Sequence, residues 1–198
     1  MSPGGHLLTT LGACALSLAA TREMPAGEAL ALAAGIAAGG FLIDVDHAVD
    51  YVLFERQRDL RPGAFLRYYL GGRVRRTVLV LHSYELFALL AAVAWWLDAP
   101  ALTGYLLGAL MHLALDIAVN GEATPRSIAA FYSFAYRAVH GFDAGRLLAM
   151  APRPVPAGFW AAFFSVPTRG SRRAAALSTA DLPRAPTGLP SRPGAPDA

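Results

Sequence analysis

The chain has 198 residues, of which 55% are apolar and only 16% are charged, and its mean hydropathy is +0.41. Soluble domains carry about 25% charged residues, so this composition argues against a free soluble protein and for one that uses lipid as solvent. The single cysteine, Cys14, cannot form an intramolecular disulfide, and without a C-x-x-C pair a thiolate zinc site is excluded. Any bound metal must therefore be held by histidine and carboxylate side chains. The net charge of +3 comes entirely from arginine, and its distribution is more informative than its sum.

Four apolar runs predict an all-α membrane bundle of four transmembrane helices. They cover residues 7–20, 29–43, 78–97 and 101–119. The last two approach the roughly 20 residues that a bilayer core requires, whereas the first two are shorter. The first run could instead be a cleaved signal peptide, because small residues lie near its end. Against that alternative, no basic residue precedes Arg22.

The arginines predict which way the spans face. Residues 51–77 contain seven arginines and two acidic residues, whereas the turn between the third and fourth runs contains one charged residue, Asp98. By the positive-inside rule, the 51–77 loop is cytoplasmic, and both termini lie inside as well. Trp95 and Trp96 would then end the third span at the outer interface of the inner (plasma) membrane.

The remaining segments predict interfacial helices and a tail. Residues 127–140 and 157–166 are apolar and aromatic but too short to span, so we expect helices that lie on or beside the membrane domain. Residues 167–198 are rich in Pro, Arg, Ser and Gly, which is typical of disorder. The predicted organisation is a membrane-embedded helical domain over residues 1–166 and a disordered tail over residues 167–198.

Ionisable side chains interrupt or end each apolar run. In chain order they are His6, then Asp44, Asp46, His47 and Asp50, then His82 and Glu85, and finally His112 and Asp116. Such a group costs about 2.5–3.5 kcal/mol to insert, so it is expected to face the interior of the bundle and to have a partner. With the N-terminus inside, all of these groups lie at the cytoplasmic ends of their helices. The pattern therefore predicts one shared site.

The residue types in this predicted site suit a divalent metal. His82 with Glu85 and His112 with Asp116 are three and four residues apart, which predicts that each pair shares a helix face. Helical bundles build metal sites from carboxylates and imidazoles on facing helices, and these ligands suit Zn²⁺, Mn²⁺ or Fe²⁺. Some of the side chains would support the ligands rather than bind directly. The candidate metal residues are His6, Asp44, Asp46, His47, His82, His112 and Asp116.

Two further carboxylates are candidates for the general base. Asp50 or Glu85, where not ligated, would take a proton from an activated water. Each has a simpler interpretation, because Asp50 could begin the polar loop and Glu85 could pair with an arginine such as Arg75. Likewise, His6 could merely lie at the membrane interface.

The order of these motifs resembles that of the bacterial and archaeal membrane-bound metal-dependent hydrolases. The motifs that carry the resemblance are His6, Asp44-Val45-Asp46-His47, His82-Ser83 and His112 to Asp116, within residues 1–120. In its ligand pattern, that family is similar to the zinc enzymes of the phospholipase C and P1 nuclease group, which cleave phosphodiesters. The resemblance implies an inner-membrane hydrolase that uses a bound divalent metal, with Zn²⁺ as the first candidate.

Together these patterns favour a metal-dependent hydrolase at the cytoplasmic membrane face. The arginine loop would attract an anionic small molecule or a lipid-like phosphoester from the membrane. The alternative is a non-enzymatic membrane protein, a transporter or scaffold, with a structural metal or proton site. A transporter needs polar groups along the depth of the bundle, whereas these crowd one end. Nucleic-acid binding is not expected, since the arginine loop contains no recognisable binding motif.

Overall fold

The computed structural model describes residues 1–120, 127–148, 152 and 154–165. In these residues the protein is all-helical, as predicted, and it has no β-strand beyond an isolated pairing of Arg76 with Asp143. The helices are α1 (Pro3–Ala20), α2 (Ala26–Gly40), α3 (Val45–Leu53), α4 (Pro62–Leu70), α5 (Tyr84–Leu97), α6 (Pro100–Asn120), α7 (Ile128–Phe131), α8 (Phe134–Val139), α9 (Ala144–Leu147) and α10 (Phe159–Phe163). The predicted boundary after residue 166 and the predicted tail lie outside the described residues.

Helices α2 and α6 pack backbone against backbone. A Cβ atom at Gly35 of α2 would overlap the carbonyl oxygen of Ala101 in α6. One turn later, a Cβ atom at Gly39 would overlap the carbonyl oxygen of Tyr105. Only glycine permits this approach, and because the residue numbers rise together, the two helices run in the same direction. Their C-terminal ends therefore lie side by side.

The other long helices place their starts at this same end. In α1, the thiol of Cys14 donates to the carbonyl oxygen of Ala33 at 3.4 Å, whereas the earlier Thr10 lies beside Gly40, so α1 is antiparallel to α2. Phe87, near the start of α5, belongs to the same hydrophobic core as residues late in α6. The start of α1, the end of α2, the start of α5 and the end of α6 thus meet.

A bend follows α2. The chain passes through a 3₁₀ turn, Leu42–Asp44, and continues as α3 at an angle of 45° to α2. At the bend, the carbonyl oxygen of Gly40 accepts a hydrogen bond from Nδ1 of His112 at 2.9 Å. Side chains that insert into the helical ladder are a recognised cause of kinks. The bend brings Asp44 within 3.4 Å of His112.

The third apolar run is helical only from Tyr84, so the prediction of a helix from residue 78 is wrong at its start. Leu79 has a left-handed backbone with φ of 46°, and Ser83 is extended, with φ of −128° and ψ of 134°. His82 therefore precedes α5. The predicted pairing of His82 with Glu85 on one helix face is wrong for the same reason.

Among the described residues, length and composition identify fewer membrane-spanning helices than the four predicted. Pro100–Val119 passes as a span, and the bent pair Ala26–Gly40 with Leu42–Leu53 would make a second. Helix α5 is apolar but has only 14 residues. The four-span arrangement therefore stays a prediction.

The predicted interfacial segments form short helices. Residues 127–140 contain α7 and α8, and the described part of residues 157–166 contains α10. The side chain of Arg137, the one charge in the first segment, is completely buried. The segment therefore packs one side against the rest of the protein, while its other side is exposed, as at Val139.

Candidate metal centre

The structure brings together all seven side chains that the sequence nominates as metal residues. They come from the start of α1, the bend and start of α3, the segment before α5, and the second half of α6. Three overlapping groups have potential ligand atoms within 4.8 Å of one another. These groups are His6 with His112 and Asp116, Asp44 with His82 and His112, and Asp46 with His47 and His82.

The middle group has the geometry closest to that of a coordination site. Nε2 of His82 lies 3.3 Å from Nε2 of His112, and Oδ1 of Asp44 lies 3.5 Å and 3.4 Å from these two atoms, respectively. Tetrahedral Zn²⁺ with bonds of 2.0–2.1 Å separates neighbouring ligand atoms by about 3.4 Å. The three atoms therefore match one face of a coordination tetrahedron. We call these residues the central triad.

Hydrogen bonds fix both histidines of the central triad in a ligand-ready tautomer. Nδ1 of His112 faces the carbonyl oxygen of Gly40 at 2.9 Å, and a carbonyl oxygen can only accept, so Nδ1 carries the proton. Nδ1 of His82 faces Oδ2 of Asp46 at 3.0 Å and donates in the same way to its carboxylate. In the neutral rings, Nε2 is then an unprotonated donor atom. Metal-binding histidines are commonly held by such a carbonyl or carboxylate.

His6 and Asp116 lie directly beside the central triad. The His6 ring stacks on His112 with centroids 3.7 Å apart, and its Nε2 lies 3.1 Å from Oδ1 of Asp116. The other oxygen of Asp116 lies 3.6 Å from Nε2 of His112, and the Met1 ammonium pairs with Oδ1. Nδ1 of His6 is buried without a hydrogen-bond partner in the described residues. This side of the cluster offers further ligands for one metal or for two.

The cluster reaches the surface at Asp44 and His47. Their side chains are 31% and 27% exposed, whereas those of His82 and His112 are at most 1% exposed. Nε2 of His47 lies 3.6 Å from Oδ1 of Asp44, and the hydroxyl of Tyr69 donates to the His47 carbonyl at 2.7 Å. A small molecule would therefore approach the central triad past these two residues.

Asp50 and Glu85, the predicted general bases, lie outside all three ligand groups. Oδ2 of Asp50 accepts the backbone N–H groups of Val78 and Leu79 at 2.7 and 3.1 Å. Its carboxylate thus holds the backbone before His82.

Glu85 has a different structural task. Its carboxylate accepts the Ser133 hydroxyl at 2.6 Å and the N–H groups of Phe134 and Ala135 at 2.8 and 3.1 Å. These groups form the start of α8, where a carboxylate satisfies helix N–H groups that have no partner within the helix. Among the described residues no salt bridge joins it to Arg75, whose backbone N–H donates to Glu55 at 2.7 Å.

Two functional candidates were missed from the sequence. The hydroxyl of Tyr132 donates to Oδ2 of Asp116 at 3.3 Å, and its ring stacks on His82 with centroids 6.4 Å apart. Burial and the charge of Asp116 raise the pKa of Tyr132. Arg137 contacts the segment before α5, and burial lowers the pKa of its guanidinium. In the sequence, Tyr132 is one of several aromatic residues in its segment and gives no separate signal. Arg137 differs from its neighbours only as the one charge of that segment.

The arginine loop, residues 51–77, contains the end of α3 and all of α4. All of its arginines are exposed, and they are Arg56, Arg58, Arg61, Arg67, Arg73, Arg75 and Arg76. Among the described residues, only Arg61 of this set has a carboxylate within salt-bridge distance, Asp59 at 2.6 Å, which lowers the pKa of Asp59 to about 2. The buried carboxylate of Glu55 anchors the loop by accepting the Tyr68 hydroxyl and the Arg76 N–H. The loop therefore presents a strongly positive surface.

Comparison with known proteins assigns no family to this chain. No protein-family model, curated protein or solved structure matches it. The case for its function accordingly depends on the geometry of the site.

Proposed function

We propose that the protein is a membrane-bound, metal-dependent hydrolase that acts at the cytoplasmic face of the inner membrane. The observation that carries this proposal is the central triad of Asp44, His82 and His112. Its ligand atoms lie 3.3 to 3.5 Å apart, and both imidazoles are held with Nε2 toward the common centre. A protein site with three ligands leaves room for water or substrate at a fourth position, as in catalytic zinc sites.

The residues present fit a divalent metal. The donors are imidazole nitrogens and carboxylate oxygens without a thiolate, which suits Zn²⁺ and equally accepts Mn²⁺ or Fe²⁺. Two buried nitrogens, Nδ1 of His6 and Nδ1 of His47, have no hydrogen-bond partner in the described residues. When bound, such a metal lowers the pKa of coordinated water toward 7 and polarises the bond under attack. The protein holds the imidazole tautomers and limits water access.

Membrane placement is supported by large apolar side chains on the helix surfaces. Trp95 and Trp96 at the end of α5 are 90% and 82% exposed. Further exposed apolar side chains on α1, α2, α5 and α6 are Leu8, Leu11, Leu16, Leu30, Leu89, Leu107 and Leu110. Soluble monomers rarely leave so many unpartnered, so we propose that lipid covers them and that all four helices span the membrane. The arginine loop contacts the cluster through Tyr69, which supports our proposal that this end faces the cytoplasm.

An anionic phosphoester, either a lipid headgroup or a small molecule, is the proposed substrate. The cluster opens at Asp44 and His47, next to the α4 residue Tyr69. The exposed arginines of the loop raise the local concentration of anions at this opening. A metal and a basic surface together suit a phosphate group better than a neutral amide or ester.

A structural metal site in a non-enzymatic membrane protein is the second candidate. It is favoured by the burial of His6, His82, His112 and Asp116, each at most 12% exposed in its side chain. Structural sites are closed, whereas catalytic sites keep an open position. Hydrolysis therefore discriminates the two candidates, and metal content alone does not.

Metal analysis of the detergent-purified protein tests the proposal. We expect stoichiometric Zn²⁺ in the wild type and in His140→Ala, since His140 is the one histidine outside the cluster, and a large loss in His112→Ala. The metal-loaded protein should hydrolyse bis(p-nitrophenyl) phosphate or short-chain anionic phospholipids. Equal, negligible metal in all three proteins would refute the metal centre. Retained metal without hydrolysis of phosphoesters, lipids or amides would favour the structural candidate.

A further inference from the structure

We infer that Arg137 and Asp50 are positioning residues that hold the backbone of residues 78–82 from opposite sides, so that His82 presents Nε2 to the metal. The inference rests on the proposed metal centre and gives a structural role to two residues that do not bind the metal themselves. It also replaces the predicted role of Asp50 as a base. We call residues 78–82 the His82 segment.

Arg137 satisfies the carbonyl side of the His82 segment. Its Nε donates to the carbonyl oxygen of Val78 at 3.1 Å, and its Nη2 donates to that of Leu79 at 2.8 Å. Its Nη1 donates to the carbonyl oxygen of His82 itself at 3.2 Å. The side chain is 0% exposed, and among the described residues its hydrogen bonds all go to carbonyl oxygens. A buried guanidinium that donates three hydrogen bonds to one short segment fixes the shape of that segment.

The α7–α8 region holds Arg137 itself in place. Nη1 also donates to the carbonyl oxygen of Phe131 at 2.6 Å. The guanidinium lies 5.6 Å from the centre of the Phe131 ring and 6.0 Å from that of Phe134, within the range of cation–π attraction. The guanidinium is therefore preorganised before it meets the His82 segment.

Asp50 and Asp46 satisfy the amide side of the same segment. Oδ2 of Asp50 accepts the N–H groups of Val78 and Leu79, and Oδ2 of Asp46 accepts the N–H of Leu81 at 3.0 Å. That same oxygen of Asp46 lies 3.0 Å from Nδ1 of His82. The backbone path of the segment and the tautomer of His82 are thus coupled through one carboxylate.

The backbone conformation of the segment shows why it needs these contacts. Leu79 has φ of 46°, a left-handed conformation that a branched, bulky side chain rarely adopts. A free chain would relax to a negative φ and carry His82 away from His112 and Asp44. Arg137 and Asp50 both bind the peptide groups of Leu79 and so oppose that relaxation. Arg137 and Asp50 therefore act on the proposed metal site through the main chain, by holding the backbone that carries His82.

Cobalt substitution measures this effect without relying on catalysis. The full-length protein in detergent is loaded with Co²⁺, whose visible bands report coordination geometry, and Zn²⁺ affinity is measured by chelator competition. The variants are Arg137→Lys, which keeps the charge but not the planar fork, and Asp50→Asn, which keeps the shape and one acceptor oxygen. The matched controls are Arg146→Lys and Asp59→Asn, both at exposed side chains outside the segment. Circular dichroism of each metal-free protein confirms that helices are retained.

We expect Arg137→Lys and Asp50→Asn to lower Zn²⁺ affinity about 10- to 100-fold and to change the Co²⁺ spectrum, while both controls match the wild type. Wild-type affinity and spectrum in the two variants would overturn the inference and leave the metal centre intact. If Arg137→Lys does not fold, Asp50→Asn decides the question alone. A wild type that binds neither ion would overturn the proposed function together with this inference.

Discussion

Oδ2 of Asp46 lies 3.0 Å from Nδ1 of His82, with the ring proton between them. In the proposed metal centre this contact would make Asp46 a support for a ligand rather than a ligand, although the sequence placed both acids of the Asp-x-Asp pair in one class. Asp44 projects toward Nε2 of the same ring at 3.5 Å. Two carboxylates two residues apart thus face opposite nitrogens of one imidazole.

Asp46→Asn should weaken metal binding without abolishing it. The amide can still accept one hydrogen bond, but it cannot stabilise a ligating imidazole as a carboxylate does, so we expect a 10- to 100-fold loss of Zn²⁺ affinity. Chelator competition on the purified variant measures the change. Asp44→Asn, which alters a proposed ligand directly, is the comparison and should lose more. The assignment is wrong if Asp46→Asn loses metal as completely as Asp44→Asn does.

Glu85→Ala should leave metal content and hydrolytic rate unchanged and lower stability. Its carboxylate accepts the N–H groups of Phe134 and Ala135 at the start of α8, and loss of such a cap typically costs about 1 kcal/mol. Denaturant unfolding measures the cost, and Glu28→Ala in the first turn of α2 serves as an exposed acidic control. A large fall in hydrolytic rate at equal metal content would instead restore Glu85 as the general base.

The convergence of the site could be anticipated because it depends only on chain direction. His6 begins α1, Asp44 follows α2, and His112 lies late in α6, so alternating helices carry all of them to one end. Helix order and the placement of polar residues suffice for that inference. The parallel packing of α2 and α6 agrees with it, because it brings the ends of these helices together.

The roles of individual residues could not be anticipated, since they depend on contacts between distant parts of the chain. The run of residues 78–97 is mostly apolar on both sides of Tyr84, so its composition does not show where α5 starts. The chain stays non-helical before Tyr84, where the carbonyl and amide groups are bound by Arg137 and Asp50. No local pattern links a lone arginine to a segment more than fifty residues earlier. Periodicity therefore located the histidines but could not reveal the contacts that Asp50 and Arg137 make with residues 78–82.

Gly39→Ala should destabilise the protein and weaken metal binding. The new Cβ would overlap the backbone of Tyr105, which cannot move independently of α6, and overpacking of this kind typically costs about 1–3 kcal/mol. Separation of α2 from α6 would also move Asp44 away from His112.

Gly12→Ala in α1 is the matched control, because nothing lies within 4 Å of its Cβ position. There we expect unchanged or higher stability, since alanine favours a helix by up to about 1 kcal/mol. Thermal unfolding of the two variants should shift in different directions, and equal shifts would contradict the close approach.

Tyr132→Phe should retain the metal and lose stability. The ring remains to stack on His82, but the hydroxyl that donates to Asp116 at 3.3 Å is removed. A hydrogen bond to a charged group contributes about 1.5–3 kcal/mol, and denaturant unfolding measures the loss. Tyr84→Phe is the control, because its partly exposed ring contacts Tyr132 without any hydroxyl hydrogen bond among the described residues.

Since burial and Asp116 raise the pKa of Tyr132 above its ordinary value of 10, its hydroxyl should stay protonated in the folded protein beyond pH 10, where an unfolded tyrosine ionises. The wild type should therefore lose stability relative to Tyr132→Phe as the pH rises above 10, and parallel stability curves for the two proteins would contradict the contact.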